Sequence, residues 1–258
     1  MVADMSYKIV VDSCCELPKE LLQKESFERV PLGIEIGDYH LLDDESFQQA
    51  DFLRRVAAYP KCPKSSCPSP ERYMEAYHVE AEHIYVVTLS SKLSGSYNSA
   101  ELGKRMYREK YGEKKIHVVD SESASCGETQ LALKLMELEE EGLAFEEIEK
   151  QITAFRDSMN TYFVLDNLET LRKNGRLSNI KAAVASTLNI KPIMGADKGT
   201  IIQMGQGIGM KKAITRMVDK IVDAIKGAER KRIVISHCNA KERAETVKQL
   251  LREKIRCR

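Results

Sequence analysis

The sequence has no surplus of charge of either sign. Forty Lys and Arg residues stand against 39 Asp and Glu, a formal net charge of +1. No overall field therefore draws nucleic acid or an anionic membrane to the chain, and basic pairs such as Lys211-Lys212 and Lys231-Arg232 are only local. Nor is there an apolar run of about eighteen residues, so no membrane-spanning helix is expected. Residues 1–7 lack a basic start followed by an apolar stretch, so no secretory signal is expected there either. Seven cysteines make an odd set in which Cys14 and Cys15 are adjacent, a poor basis for a disulfide framework. Zinc-type Cys/His spacing does not accompany Cys62 and Cys67, and His40, His78, His83 and His117 are scattered. No metal and no cofactor are expected, and the compartment reads as cytoplasmic.

Nucleophile and nucleotide signatures are missing too. There is no Gly-x-Ser-x-Gly elbow. The run Gly205-Gln-Gly-Ile-Gly209 lacks the spacing of either nucleotide-binding fingerprint, and its glycines are assigned to a turn after a hairpin strand.

What is present is a folded chain of 258 residues, 43% hydrophobic and 31% charged, long enough for at most two ordinary domains. Short β-branched runs alternate with amphipathic stretches, the pattern of an α/β protein. Buried strands are predicted over Lys8–Asp12, His83–Leu89 and Lys115–Val119. Another covers Arg29–Leu32, followed by a hairpin through Gly37-Asp38. Ser46 is expected to cap a helix ending before Pro60. Pro60 to Pro70, with four prolines, reads as a stiff loop. Ser69 with Pro70 then opens a helix to about Glu82. Further helices are expected over Tyr97–Lys110, Glu128–Glu141 and Phe145–Met159. Beyond a boundary near residue 160 come a strand at Tyr162–Leu165 and short helices over Leu168–Lys173 and from Ser178 to about Leu188. A hairpin around Asp197-Lys-Gly199 follows. Helices over Lys211–Ile225 and Lys241–Lys254, separated by a strand at Lys231–Ser236, complete the chain.

Three early strands end alike, in Asp12-Ser13-Cys14-Cys15, in Ser90-Ser-Lys-Leu-Ser-Gly-Ser96 and in Asp120-Ser-Glu-Ser-Ala-Ser125. In a doubly wound sheet ligands bind outside the carboxyl ends of the strands. Hydroxyls beside helix N-termini there suit an anionic oxygen group, a carboxylate or a phosphate. The plainer reading is that these serines only cap helices. His237, at a predicted strand end, is a further candidate for the pocket.

In order along the chain, five segments resemble motifs of the DegV family. They are Lys8-Ile-Val-Val-Asp-Ser-Cys-Cys-Glu-Leu-Pro18, Ser65-Ser-Cys-Pro-Ser-Pro70, Leu89-Ser-Ser-Lys-Leu-Ser-Gly-Ser-Tyr-Asn-Ser-Ala100, Val119-Asp-Ser-Glu-Ser-Ala-Ser125 and Phe163–Ser178. The resemblance implies an α/β protein of two lobes, an N-terminal doubly wound parallel-sheet lobe over 6–159 and a C-terminal α/β lobe over 160–258. One long-chain fatty acid, such as palmitate, stearate or oleate, would lie between them. Its carboxylate would be bound by Ser65 and Ser94. Ser13, Ser66, Ser96, Ser121 and His237 would line the pocket or stand behind those two. The implied role is a carrier without chemistry of its own, which presents the fatty acid to a separate fatty acid kinase for acyl-phosphate formation.

The chain departs from the family at two places. Ile208 and Met210 stand where relatives with a kinase partner carry arginines, leaving Arg176 as the candidate docking residue. The family's C-terminal strand and Gly-rich segment are not seen before Arg258. The competing reading is an enzyme or regulatory module that binds a small phosphorylated metabolite at the strand tips, in a polar pocket without an apolar tunnel.

Overall fold

The computed structural model describes residues 5–177, 189–227 and 231–255. The chain divides into two compact units, Met1–Met159 and Asn160–Arg258. The first begins with β1 (Met5–Asp12), α1 (Lys19–Leu22), β2 (Phe27–Val30), β3 (Gly33–Ile36), β4 (Tyr39–Leu42), α2 (Gln49–Ala58) and β5 (Lys64–Ser66). It continues through α3 (Pro70–Ala76), β6 (Ala81–Thr88), α4 (Ser96–Tyr111), β7 (Lys115–Asp120), α5 (Cys126–Glu140) and α6 (Phe145–Asp157).

Its main sheet is wholly parallel, in the order β2-β1-β6-β7. Parallel strands are covered on both faces, so they read as unbroken apolar runs. Ile9-Val-Val11 and Ile84-Tyr-Val-Val87 are such runs, fully buried throughout. Alternation then sorts their side chains. Ile9, Val11, Tyr85 and Val87 meet Leu131, Leu135, Ile148 and Ile152 of α5 and α6. Val10, Ile84 and Val86 meet Tyr73 and Tyr77, from α3 and just beyond its end, and Ala100 and Tyr107 of α4. Helices on both faces make the sheet doubly wound, as the sequence predicts. Gly103 lets α4 lie against α3, where a Cβ would stand 2.6 Å from the Pro70 carbonyl oxygen.

Three local expectations are corrected in this unit. The Pro-rich segment is not only a loop: Lys64–Ser66 pairs antiparallel with β3, making a small sheet β4-β3-β5. Pro63 and Pro68 lie outside those three residues, so neither removes an N–H from the ladder. Ser46 does not cap α2, because its N–H and hydroxyl both bind Asp44 Oδ1, at 2.8 and 2.6 Å. That local turn delays the helix to Gln49. Finally, α3 stops at Ala76 rather than near Glu82, since Ala81 onward is drawn into β6. Its start is as predicted: Pro70 takes the first position and Ser69 Oγ accepts from Arg72 N at 3.4 Å.

The second unit holds β8 (Tyr162–Phe163), α7 (Glu169–Lys173), β9 (Ile190–Asp197), β10 (Thr200–Ile208), α8 (Gly209–Ala224) and α9 (Lys241–Lys254). Its described strands form one antiparallel sheet, β10-β9-β8. The predicted hairpin is present, with Lys198 and Gly199 both at positive φ (44° and 79°), the backbone a two-residue hairpin loop favours. Ala213, Ile214, Met217 and Val218 of α8 pack with Ile193, Val247 and Leu251.

Of the glycine run only Gly209, at φ 75°, serves a turn, from β10 into α8. Gly205 and Gly207 lie within β10, beside a bulge, and a Cβ on Gly207 would come 2.3 Å from Ala213 N. The glycine is there for close strand-to-helix approach. Lys231–Ser236 is not a strand, for among the described residues no segment supplies it with a ladder. Ile233 and Ile235 consequently remain more than a third exposed. The predicted helix from Ser178 to Leu188 lies outside the described residues. Among those residues no helix is long and apolar enough to cross a membrane.

Candidate functional site

The parallel sheet reverses its winding between β1 and β6. From β1 the chain passes to β2 on one side, and β6 then joins the other side. The crevice at that switch point is where such sheets take ligands, and the loop Leu89–Ser96 leaves β6 there. An aspartate on each flank holds this loop. Asp12, ending β1, accepts from Leu89 N at 2.8 Å, and Asp120, ending β7, accepts from Ser91 N at 3.0 Å. Ser90 N donates to the Ser123 carbonyl at 3.0 Å. The loop is thus fixed by its own backbone N–H groups donating to acceptors on neighbouring tips, leaving its hydroxyls to do other things.

Ser94 sits half-buried near the end of that loop. Its Oγ accepts from Ser96 N at 3.2 Å and lies 3.2 Å from Ser96 Oγ, to which it donates. The second predicted hydroxyl, Ser65, is exposed on β5, opposite Ile34, with exposed Ser66 opposite Gly33. A Cβ on Gly33 would stand 2.5 Å from Ser66 Oγ, so this glycine makes room for a hydroxyl. Two contacts bring β5 and the Ser94 loop together: Cys67 Sγ rests 3.0 Å from where a Gly95 Cβ would be, and Ser99 Oγ donates to the Pro68 carbonyl at 2.5 Å. Beside β5 lies a cavity of about 300 Å³ lined by Ile34, His40, Leu41, Leu42 and Ser66. A larger one, about 440 Å³, is lined by His78, Glu80, Tyr107 and Lys114 at the amino end of β6, away from the strand tips.

The other candidates are placed differently. Ser13 is buried and its Oγ accepts from Leu32 N at 3.0 Å. Ser121 is buried too, donating to the Ser123 carbonyl and accepting from Ser123 N. Both hydroxyls therefore shape the tips from behind. Ser96 is fully buried beneath Ser94. His237 and Arg176 belong to the second unit. The exposed His237 ring accepts from Ala240 N at 3.4 Å, at the start of α9, and Arg176 Nη1 donates to the Asn174 carbonyl at 2.6 Å.

Sequence reasoning missed the most buried polar groups of the site. Asp12 and Glu128 are both fully buried, and the ligating atoms of Asp12, Cys14 and Glu128 lie within 4.8 Å of one another. Glu128 carries a partial signal, since Ser125-x-x-Glu128 is the spacing of a capping box, and Glu128 Oε1 does accept from Ser125 N at 3.0 Å. Its approach to Asp12, 116 positions away, has no local signature. Burial pushes the Asp12 carboxyl up, while hydrogen bonds from Leu89, Glu128, Ser96 and Cys14 pull it back. Burial, and then the charge of Asp12, hold Glu128 well above the usual carboxylate range. Burial, reinforced by Glu128, also raises the Cys14 and Cys15 thiols, which keeps them protonated and unreactive. The three ligating groups could gather round a cation only by displacing donors, because N–H groups of Leu89 and Cys14 already point at the Asp12 oxygens.

Comparison with known proteins decides the family. The model described as "Uncharacterised protein, DegV family" matches residues 6–257. The chain belongs to the DegV family. A DegV-family protein of Ruminococcus gnavus, refined with vaccenic acid, is 52% identical and superposes with a TM-score of 0.94 over 98% of this chain and 90% of its own. The fatty acid kinase B3 protein of Streptococcus pneumoniae, loaded with linoleic acid, is 35% identical, with a TM-score of 0.86 over 96% and 89% of the two chains. A DegV domain-containing protein of S. pneumoniae strain R6 is 36% identical over 253 residues, 96% of this chain and 89% of its own.

Proposed function

We propose that this DegV-family chain binds one long-chain fatty acid, such as palmitate, stearate or oleate, and presents its carboxylate to a separate fatty acid kinase. Ser65 and Ser94 hold the carboxylate, and the acyl phosphate is made by the partner. The chain itself is a carrier, with no reaction and no cofactor of its own. The supporting observation is the close approach of β5 to the Ser94 loop, through Cys67 on Gly95 and Ser99 on Pro68, which gathers two hydroxyl-bearing segments at the sheet's switch point. Relatives solved with vaccenic and linoleic acids match nearly the whole chain.

The energetics suit the role. Each buried methylene contributes about 0.8 kcal/mol, so a tail of about fourteen gains up to about 11 kcal/mol gross, from which association subtracts at least about 4 kcal/mol. The tail supplies affinity, and the head needs only neutral donors. Hydroxyls orient a carboxylate without pairing it to a fixed cation, and so leave its oxygens nucleophilic toward a phosphate donor. The competing reading, a small phosphorylated metabolite, needs several tip hydroxyls turned toward the ligand. It is less supported, because Ser13, Ser96 and Ser121 are buried.

Native mass spectrometry of protein purified from a bacterial host, followed by lipid extraction, tests the proposal. A mass increment matching a long-chain fatty acid, diminished in Ser94→Ala, is expected. A chain that emerges empty and takes up neither palmitate nor oleate sinks it. Arg176 is the proposed docking residue: Arg176→Ala should bind palmitate normally yet slow acyl-phosphate formation by the kinase.

A further inference from the structure

We propose that Lys92 is the residue of this chain that meets the phosphoryl group: its ammonium pairs with the phosphoryl oxygens of the acyl phosphate and so distinguishes that product from the free fatty acid. The inference rests on the reading of Ser94 as a head-group hydroxyl.

The loops at the strand tips turn their own donors inward. From Leu89 to Ser94 each N–H has an acceptor inside the protein. Those of Leu89, Ser90 and Ser91 go to Asp12, the Ser123 carbonyl and Asp120. Lys92 N donates to Ser90 Oγ at 3.2 Å, while Leu93 N and Ser94 N donate to the Ser90 carbonyl at 2.9 and 3.0 Å. The β1 tip behaves alike: Ser13 N donates to the Val30 carbonyl, Cys14 N to Asp12 Oδ1 and Cys15 N to the Asp12 carbonyl, each at 3.1 Å. After β7, Ser121 N, Glu122 N and Ser123 N donate to the Thr88 carbonyl, Asp120 Oδ1 and Ser121 Oγ. A loop that cradles phosphate needs a run of free amides. Residues 89–94 have none, so added charge beside Ser94 falls to side chains.

Two cationic side chains belong to this end of the sheet. Arg156 is engaged: its Nε and Nη2 donate to Asp157 Oδ1 at 3.0 and 2.7 Å, and its Nη1 to the Asp120 carbonyl at 3.5 Å. Lys92, in the turn between Ser90 and Ser94, is exposed, and its ammonium has no ion pair or hydrogen bond among the described residues. Its stem, about 6 Å from Cα to Nζ, rises from a backbone that those hydrogen bonds hold still. Phosphoryl transfer creates a charge for it. A carboxylate oxygen attacks the terminal phosphorus of a nucleoside triphosphate held by the kinase. The new O–P bond forms as the bond to the bridging oxygen breaks, and that electron pair leaves with the nucleoside diphosphate; no proton moves. The head group thereby passes from one negative charge to about two, with the added oxygens on the outer side of the carboxyl. A lysine ammonium is a compact, rotatable partner for phosphate, able to follow the phosphoryl group without fixing the carboxylate beforehand.

The test uses the full chain with two probes, palmitate and a β-ketophosphonate analogue of palmitoyl phosphate in which a methylene replaces the bridging oxygen. Calorimetric titration should show Lys92→Gln losing about fivefold in affinity for the phosphonate, the value of one exposed ion pair, and less than about twofold for palmitate. Lys92→Arg should keep the wild-type ratio of the two affinities, and Lys92→Glu should lose more phosphonate binding than Lys92→Gln. Raising the salt should weaken the phosphonate more than palmitate. Lys110→Gln removes the same charge from an exposed position near the far end of α4, about 20 Å away, and should leave the ratio alone. Equal losses for the two probes in Lys92→Gln, no loss for either, or an equally large effect of Lys110→Gln overturns the proposal. A wild type that binds palmitate but not the phosphonate overturns the role of Lys92 while the fatty acid reading stands, and one that binds neither overturns both.

Discussion

The two aspartates that grip the Leu89–Ser96 loop perform the same local task in different surroundings. Asp12 and Asp120 end strands on either side of β6, and each accepts a backbone N–H from the loop. Asp12 is fully buried and faces a second carboxyl, whereas Asp120 is half-buried and its oxygen serves the adjacent turn through Glu122 N at 3.2 Å. One residue type at one position of the fold is thus a half-buried staple on one flank and the neighbour of a second buried carboxyl on the other. Burial, not identity, separates the two.

Stability breaks the comparison most sharply. Asp12→Ala strips acceptors from two N–H groups and leaves Glu128 without its partner, so unfolding in urea should show a loss of about 3–5 kcal/mol. Asp120→Ala should cost only about 1 kcal/mol, because water reaches the donors it releases. Equal losses would mean that burial does not set the difference.

pH sharpens it next. The folded-state pKa of Glu128 lies above its unfolded value, so between the two the native state holds a proton that the unfolded chain has released. Stability contributed by this group is complete below the unfolded value of about 4.3 and falls by up to about 1.4 kcal/mol per pH unit as pH rises toward the folded value. Glu128→Gln cannot titrate, so its stability relative to wild type should improve from about pH 4.5 upward, as urea titrations across that range would record. The reverse slope would place an ionised Glu128 in the folded protein.

The smallest effects separate binding from support. Ser94→Ala should lower palmitate affinity about tenfold with stability changed by less than about 0.5 kcal/mol. Ser121→Ala, on the Asp120 side, should do the opposite, costing about 1 kcal/mol and leaving calorimetric palmitate binding intact.

How much of this could be read from the sequence follows from the range of each interaction. Ile9-Val-Val11 and Ile84–Val87 announce buried parallel strands because both faces are covered, and the hydroxyl-rich tips follow directly from where those runs end. Short-range rivals were harder to see. Asp44 outcompetes the α2 cap for Ser46, and Lys64–Ser66 becomes a strand only because β3 offers it an edge. Lys231–Ser236 has the composition of a strand but lacks a described partner. The meeting of Asp12 with Glu128 was invisible, since nothing in either neighbourhood reveals that both will be buried against each other. The serines were legible as a group, but their division into Ser94 at the front and Ser13, Ser96 and Ser121 behind depends on packing.

The contact of Cys67 with Gly95 works as a mechanical stop, and the Ser99 bond to Pro68 as a tether. A stop sets a minimum separation and a tether a maximum, so together they act as a gauge for the gap between the two hydroxyl-bearing segments. Neither depends on the acyl tail. Adding a single methyl at Gly95 would push against the sulfur and open the gauge, altering which head groups fit before it altered which chains are held.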